Sequence, residues 1–336
     1  MTQNIGRRRF LAILAAATAV RPLASRAQES NSIRNIGFLM GLANDAEAQH
    51  RVKAFEQGLA KQGWIAGRDV RIAYRFAAGE PNRMRSYAKE LVALRPDLIV
   101  GHSTPATTEL MKIAGTIPIV FVVVADPVGS GFVASIPRPG GNATGFTNLD
   151  PTITGKLLTI LKQMTPRLVR SALLFNPDTV TRAGLYHLYL RPFEEAAKSL
   201  AVNASTAQVH TPADIELRIS KLGRELDAGL IVAPDNFTTV HRHLIISLTA
   251  QWRIPTIYPY RYFVDAGGLM SYGVDVTDLF RRAPEYVSRI LHGANPADLP
   301  VQAPTKFELA INLRTAKTLD LSVPRVLLAG ADALIN

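Results

Sequence analysis

Ile119-Val-Phe-Val-Val-Val-Ala-Asp-Pro127 places six consecutive β-branched or aromatic residues in front of a small residue, an acid and a proline. A run this short, with no polar position to face water, suits a strand covered on both faces, as in a parallel sheet flanked by helices. Working backwards, Leu98 to Gly101, Val70 to Phe76 and Ile33 to Met40 read as three more strands. Between them the apolar spacing changes to helical. Helices are expected over Ala46 to Gln62, ending at Gly63, over Asn82 to Leu94, ending before Arg95-Pro96, and over Ala106 to Ala114. The first part of the chain is therefore four βα units.

Working forwards, Ser135-Ile-Pro-Arg-Pro-Gly-Gly-Asn142 is a stretch of turn-formers that reads as the approach to a lobe boundary. A second α/β series follows, with strands at Val169 to Phe175, Val202 to Val209, Gly229 to Ala233 and Thr256 to Tyr258. Helices are expected at Pro151 to Met164, Thr181 to Leu200, Ala213 to Leu226 and Phe237 to Trp252. In the tail, Leu269 to Tyr272 and Lys306 to Asn312 read as strands on either side of an amphipathic helix, Val276 to Leu291. The pattern implies an α/β chain of two lobes, each a parallel sheet flanked by helices. Three crossings are expected, near 147, 271 and 303, giving lobes of 33–147 with 272–303 and of 148–271 with 304–336. A hinge of several strands is how a two-lobed clamp closes on a ligand.

The first residues read as an export signal. Arg7-Arg8-Arg9 precedes an apolar run from Phe10 to Val20, and Ser25-Arg26-Ala27 supplies small residues at a cleavage point before Gln28. The run is too short for a membrane span, which takes about 20 residues, and the arginine pair resembles the twin-arginine pattern. Residues 1–27 are accordingly expected to be removed, leaving a periplasmic protein. Its five arginines leave with it and no acid does, so the formal charge of +11 falls to +6. The remaining basic residues are scattered, whereas a nucleic-acid binder concentrates them on one face, so no nucleic-acid partner is expected. The chain has no cysteine, which removes disulfides, thiolate metal sites and a cysteine nucleophile.

Eight short motifs, in order, carry a resemblance. They are Ile36-Gly-Phe-Leu39, Arg95-Pro-Asp-Leu-Ile-Val100, Ile117-Pro-Ile-Val-Phe121, Ala125-Asp-Pro-Val128, Gly140-Gly-Asn-Ala-Thr-Gly145, Tyr258-Pro-Tyr260, Gly267-Gly-Leu-Met-Ser-Tyr-Gly273 and Pro304-Thr-Lys-Phe-Glu308. From about Ile33 to the C-terminus the chain resembles the ABC-transporter substrate-binding family that includes tryptophan-binding proteins. The resemblance implies a periplasmic-binding-protein type I-like fold with three hinge strands. It also implies a small solute held between the lobes, such as an amino acid or another aromatic or carboxylate compound, and delivery to an inner-membrane ABC permease. No catalysis, cofactor or metal is expected, and the receptor is expected to be a monomer.

In an open α/β sheet, ligands sit beyond the carboxyl ends of the strands, where backbone amides and helix N-termini are free. That rule selects Gly41 to Asp45, His102 to Ala106 and Ala125 to Val128 in the first lobe, and Asn176 to Thr179, Pro234 to Phe237 and Tyr258 to Phe263 in the second. Within these loops Ser103 and Thr104 offer hydroxyls and helix-start amides to a carboxylate, or serve as ordinary caps. Asp126 and Asp235 could accept from an ammonium or hydroxyl group, or cap helices themselves. Tyr258 and Tyr260 could wall a small-molecule cleft, or pack inside the hinge. Asn44, Asn176 and Tyr272 complete the expected ligand set.

Three other patterns carry less. Gly129-Ser-Gly131-Phe-Val-Ala134 fits a loose dinucleotide fingerprint, but it follows the fourth strand, and Pro137 and Pro139 cut short the helix it needs. His241-Arg-His243 puts two histidines on different helix faces with no third ligand. Gly101-His-Ser-Thr-Pro105 lacks the second glycine of a nucleophile elbow. An exported α/β enzyme acting on a small substrate is the alternative reading, and it lacks a nucleophile–base set or carboxylate pair at recognisable spacing. A transcriptional regulator with the same lobes would need a DNA-reading head where the export signal stands.

Overall fold

The apolar runs become the strands of two sheets, as seen in a computed structural model that describes residues 33–148 and 150–336. The export-signal reading of residues 1–27 lies outside the described residues. The first sheet contains β1 (Arg34–Met40), β2 (Val70–Phe76), β3 (Leu98–His102), β4 (Ile119–Val124) and β5 (Ala143–Thr147), ordered β2-β1-β3-β4-β5 with every pair parallel. The second contains β6 (Arg170–Phe175), β7 (Asn203–Gln208), β8 (Ala228–Val232), β9 (Thr256–Tyr258), β10 (Met270–Val274), β11 (Phe307–Asn312) and β12 (Ala333–Ile335), ordered β12-β11-β10-β9-β8-β6-β7.

Helices cover both faces of these sheets because the connections between parallel strands must cross over. The first helix, Ala46–Lys61, starts where the Asp45 side chain accepts from the Ala48 backbone N–H, with Glu47 in its first turn and Lys61 in its last. Its buried face carries Ala48, Arg51, Val52, Phe55 and Leu59, and packs on helix Val276–Leu291. The approach is closest at Gly58, where a Cβ would sit 2.6 Å from the Arg281 carbonyl oxygen and 2.8 Å from Pro284 Cγ.

Three strands depart from the sequence expectation, one of them β12, a strand not expected from the sequence. Ala143–Thr147 follows directly on the segment read as turns, where no strand is expected, yet it pairs with β4 as the edge of the first sheet. Gly145 interrupts a strand signal that Thr144 and Thr147 favour, and burial between β4 and the segment at Gln302 fixes the pairing. In the second sheet β11 runs antiparallel to β10, while the remaining pairs are parallel. It enters after a return from the first lobe, and so arrives in the opposite sense.

The chain passes between the sheets three times. After β5 it leads into helix Ile153–Met164, which packs against β8 and β9. After Val274 it returns through helix Val276–Leu291, which lies on β4 and β5. Gln302 then donates to the Gly145 carbonyl oxygen, and the chain leaves for β11. The second crossing falls later than the expected 271, because Tyr272 and Gly273 are still laddered to β11. The expected helix over Thr181 to Leu200 is broken into Arg182–Gly184, a wide π-type turn over Leu185–Leu190 and Arg191–Ser199, and the turn carries Tyr189 into the interior. A buried cluster runs from Phe38, Phe55 and Phe280 under the first sheet to Leu230, Tyr258 and Phe263 under the second.

Candidate functional site

The carboxyl ends of the two sheets face one another, and between them lies a cavity with about 410 Å³ of empty space, part of it open to solvent. The first lobe lines it with Arg51, His102, Ser103, Thr104, Val123 and Ala125, and the second with Thr179, Tyr189, Asp235, Asn236, Thr239, Tyr260 and Tyr262. Asn148, at the first crossing, sits between them.

The backbone is strained on the first-lobe side. Ser103 has φ 78° and Val123 has φ 63°, a left-handed conformation that β-branched residues rarely adopt. At Val123 the ladder of β4 shifts register between Val122 and Val124, a bulge at the sheet's carboxyl end. Ser103 ends β3 and begins helix Thr104–Met111, with its N–H donating to the Val122 carbonyl oxygen at 3.0 Å. Such strain concentrates at functional sites, held by the structure around it.

Arg51 is 1 % exposed. Its Nε donates to Glu47 Oε1 at 2.9 Å, its Nη1 lies 2.9 Å from His102 Nε2, and its guanidinium sits 5.2 Å from the Tyr262 ring centre and 5.7 Å from that of Phe280. His102 Nδ1 faces the Gly41 N–H at 3.2 Å. Burial and the Arg51 charge together push the imidazole well below its usual pKa, so it is neutral.

The second-lobe side is ordered by Asp235. One carboxylate oxygen accepts from Thr238 N at 2.7 Å, capping helix Asn236–Val240, and the other from Asn176 N at 2.9 Å. Burial outweighs these bonds and raises its pKa to about 6. Tyr260 and Tyr262 stack 5.4 Å apart between the cavity and an outer groove lined by Glu47, His50, Arg261 and Glu308. The Tyr260 hydroxyl accepts from Asn148 Nδ2 at 2.7 Å, and Tyr189 donates to the Pro234 carbonyl oxygen at 3.2 Å.

The lobes also touch at the rim of the cavity. Arg242 Nη2 donates to Asp45 Oδ2 at 2.7 Å, and Thr181 Oγ1 to Asp126 Oδ2 at 3.2 Å. Asn236 Nδ2 lies 3.5 Å from the Gly41 carbonyl oxygen.

Of the residues expected from the sequence, Ser103, Thr104, Asp235 and Tyr260 come together in the cavity wall. Thr104 Oγ1 also accepts from Ala125 N at 3.2 Å. Asp126 lies on the rim, accepting from Gly129 N and from Thr181. Asn176 is buried behind Asp235, with its Oδ1 capping the turn Pro177–Thr179. Three are not brought in. Asn44 is exposed and accepts from Gln49 Nε2. Tyr258 packs under Phe263 with its hydroxyl on Thr249 Oγ1, because β9 points it into the core. Tyr272 stacks on Phe307 and lines a surface groove with Lys156, Ile160 and Pro192, because β10 turns it to the far face.

Arg51, Asn148, Tyr189 and Thr239 were not selected from the sequence, and His102 and Asn236 fell within the selected loops without being named as ligands. Arg51 alone left a periodic signal, an arginine among Ala48, Val52, Phe55 and Leu59 on the helix's apolar stripe. Among the described residues, seven buried side-chain polar atoms lack a hydrogen-bond partner. Four of them, Arg51 Nη2, Ser103 Oγ, Asn148 Oδ1 and Asn236 Oδ1, belong to residues lining this cavity. Buried polar groups are normally satisfied, so four such atoms around one cavity set it apart from the rest of the interior. Among the described residues no group of three or more histidines and acids could hold a metal, and no helix is long and apolar enough to cross a membrane.

Comparison with known proteins bears on the family and the fold. Residues 36–335 match the family model described as ABC transporter substrate binding protein. A tyrosine-binding protein of Clostridioides difficile is 27% identical over 293 residues, covering 87% of this chain and 83% of its own. The chain superposes with a TM-score of 0.82 and 25% identity on a Streptococcus pneumonia ABC domain solved in complex with L-Trp, covering 90% of this chain and all of that one. Against a ligand-free, open substrate-binding protein with adhesive properties from Clostridium difficile the TM-score is 0.66 at 22% identity, over 90% of this chain and 100% of the other.

Proposed function

This chain belongs to the ABC transporter substrate-binding protein family, and on that premise we propose that it captures an amino acid between its lobes and presents it to the membrane permease of an import system. The observation that carries the reading is the cavity itself: it forms only where the two lobes meet, and it gathers four unsatisfied polar atoms. Ligand contacts made by both lobes exist only in the closed state, so binding shifts the open–closed equilibrium by that differential affinity. An aromatic amino acid is the first candidate, since the tyrosine-binding relative and the L-Trp complex cover most of this chain.

In this reading the lobes are 34–147 with 276–302 and 153–274 with 307–336. The protein works in the periplasm after twin-arginine export and cleavage following Ala27. It acts as a monomer without cofactor or metal and catalyses nothing itself. Sequencing the N-terminus of the exported form should give Gln28 first, and Arg7→Lys with Arg8→Lys should retain the protein in the cytoplasm.

A thermal-shift screen of the purified protein against amino acids, short peptides, carboxylates, sugars and nucleobases tests the reading. A ligand at 100 times its dissociation constant adds about 2.7 kcal/mol of stability. Amino acids should raise the melting temperature. No shift anywhere in the panel, together with turnover of an ester or glycoside, would replace the receptor with the exported enzyme.

A further inference from the structure

The unsatisfied atoms of the cavity sort by hydrogen-bonding sign, and the sorting, which rests on the receptor reading above, narrows the solute. A guanidinium can only donate. Arg51 spends Nε on Glu47 and sets Nη1 against His102, while Nη2 is buried with no acceptor at hydrogen-bond distance and only Tyr262 beside it as a weaker polar neighbour. Ser103 Oγ, on the same lobe, is buried and unpartnered as well. Whatever completes this end brings acceptors, and a carboxylate is the acceptor that a guanidinium binds most strongly.

Two asparagine amides have the opposite sign. Asn148 commits its Nδ2 to Tyr260 and leaves Oδ1 free, and Asn236 turns its Nδ2 toward Gly41 and leaves Oδ1 free. Amide oxygens only accept, so the solute brings donors here. Charge balance selects among them. Arg51 is already paired with Glu47, so an acid alone would add a negative charge to the closed cavity without a counter-ion. A cationic donor on the same molecule removes that cost.

We propose that Arg51 is the specificity-determining residue of the cleft, selecting a zwitterion whose acid group lies between Arg51 Nη2 and Ser103 Oγ and whose ammonium faces Asn148 and Asn236. Sugar hydroxyls can both donate and accept, but they bring no anion to the guanidinium.

Calorimetric titration with L-tryptophan and L-tyrosine, beside L-tryptophanamide, tryptamine and a panel of neutral sugars, tests this. The amide and the amine, which lack the acid, should bind at least about tenfold more weakly than the amino acid, in line with the strength of charged hydrogen bonds. The paired change Arg51→Gln with Glu47→Gln removes the clamp without leaving either charge alone. It should cost the amino acid at least about tenfold and bring the amino acid-to-amide ratio toward one. Equal binding of acid and amide by the unaltered protein, or a ratio preserved in the double variant, overturns the proposal. If that variant does not fold, Ser103→Ala takes its place: a lowered ratio supports the assignment and an unchanged one overturns it. Binding of a neutral sugar in place of the amino acids overturns the role of Arg51 and the amino-acid solute, and leaves only a solute receptor standing. No binding by any probe overturns both.

Discussion

Asp45 of the first lobe and Arg242 of the second meet at 2.7 Å across the rim of the cavity. Neither partner is fully exposed, and Asp45 also caps its own helix through Ala48. Burial alone would raise the Asp45 pKa, but the Ala48 N–H and Arg242 together draw it below the usual carboxylate value. The closing contact is therefore present at neutral pH and is lost only as pH falls through that depressed value. Asp45→Asn keeps a capping oxygen and removes the charge. It should weaken solute binding roughly two- to tenfold, as expected for a partly exposed pair, and enlarge the scattering radius of the unliganded protein. An unchanged affinity and radius would mean that the pair does not help to hold the lobes together.

Asp235 predicts a pH signature of the opposite sign. Its folded pKa of about 6 lies above its unfolded value of 3.8, so the native state binds the extra proton between them. Stability contributed by this group is present below about pH 4, falls as pH rises toward about 6, and is flat above that. The size is on the order of 2–3 kcal/mol for a fully buried group shifted this far. Asp235→Asn, followed by melting temperature against pH at constant ionic strength, should flatten the profile between pH 4 and 6. An identical slope in the variant would assign that slope to other groups.

Gly41 is small because Ser103 and Asn236 crowd it. A Cβ there would lie 2.6 Å from Ser103 Oγ and 2.9 Å from Asn236 Oδ1. Gly41→Ala should displace both side chains and weaken binding about tenfold or more. The change in stability should stay within the roughly 1–3 kcal/mol of an overpacking substitution. Titration and chemical unfolding together separate the two effects, and a variant that loses stability but keeps full affinity would contradict the placement.

Gly58 predicts the reverse pattern. Its Cβ would strike the Arg281 carbonyl oxygen and the Pro284 ring in the facing helix, away from the cavity. Gly58→Ala should destabilise by about 1–3 kcal/mol while leaving affinity intact below the melting transition. A loss of binding without loss of stability would show that this helix pair transmits strain to the site.

The parallel strands were legible because their burial on both faces leaves uninterrupted apolar runs, as in Ile119–Val124. β5 was not, because Ala143-Thr-Gly-Phe-Thr147 is a strand by position in the sheet more than by residue type. In the site, Ser103 and Asp235 were visible as polar residues following apolar strands. Tyr258 and Tyr272 looked equivalent to Tyr260, since their direction depends on strand orientation that sequence does not carry. Arg51 reads as a solvated helix position unless its neighbours at Ala48, Val52 and Phe55 are seen to make its face apolar. Asn148 and Asn236 acquire meaning only when the lobes close.

The most direct measurement is a calorimetric titration of refolded, ligand-stripped protein with free amino acids, run beside the variant Thr239→Trp, which fills the cavity from the second lobe. The account predicts saturable one-to-one binding of at least one amino acid by the unaltered protein and none by the filled variant. Binding of equal strength in both would place the solute outside the cavity between the lobes and contradict the account.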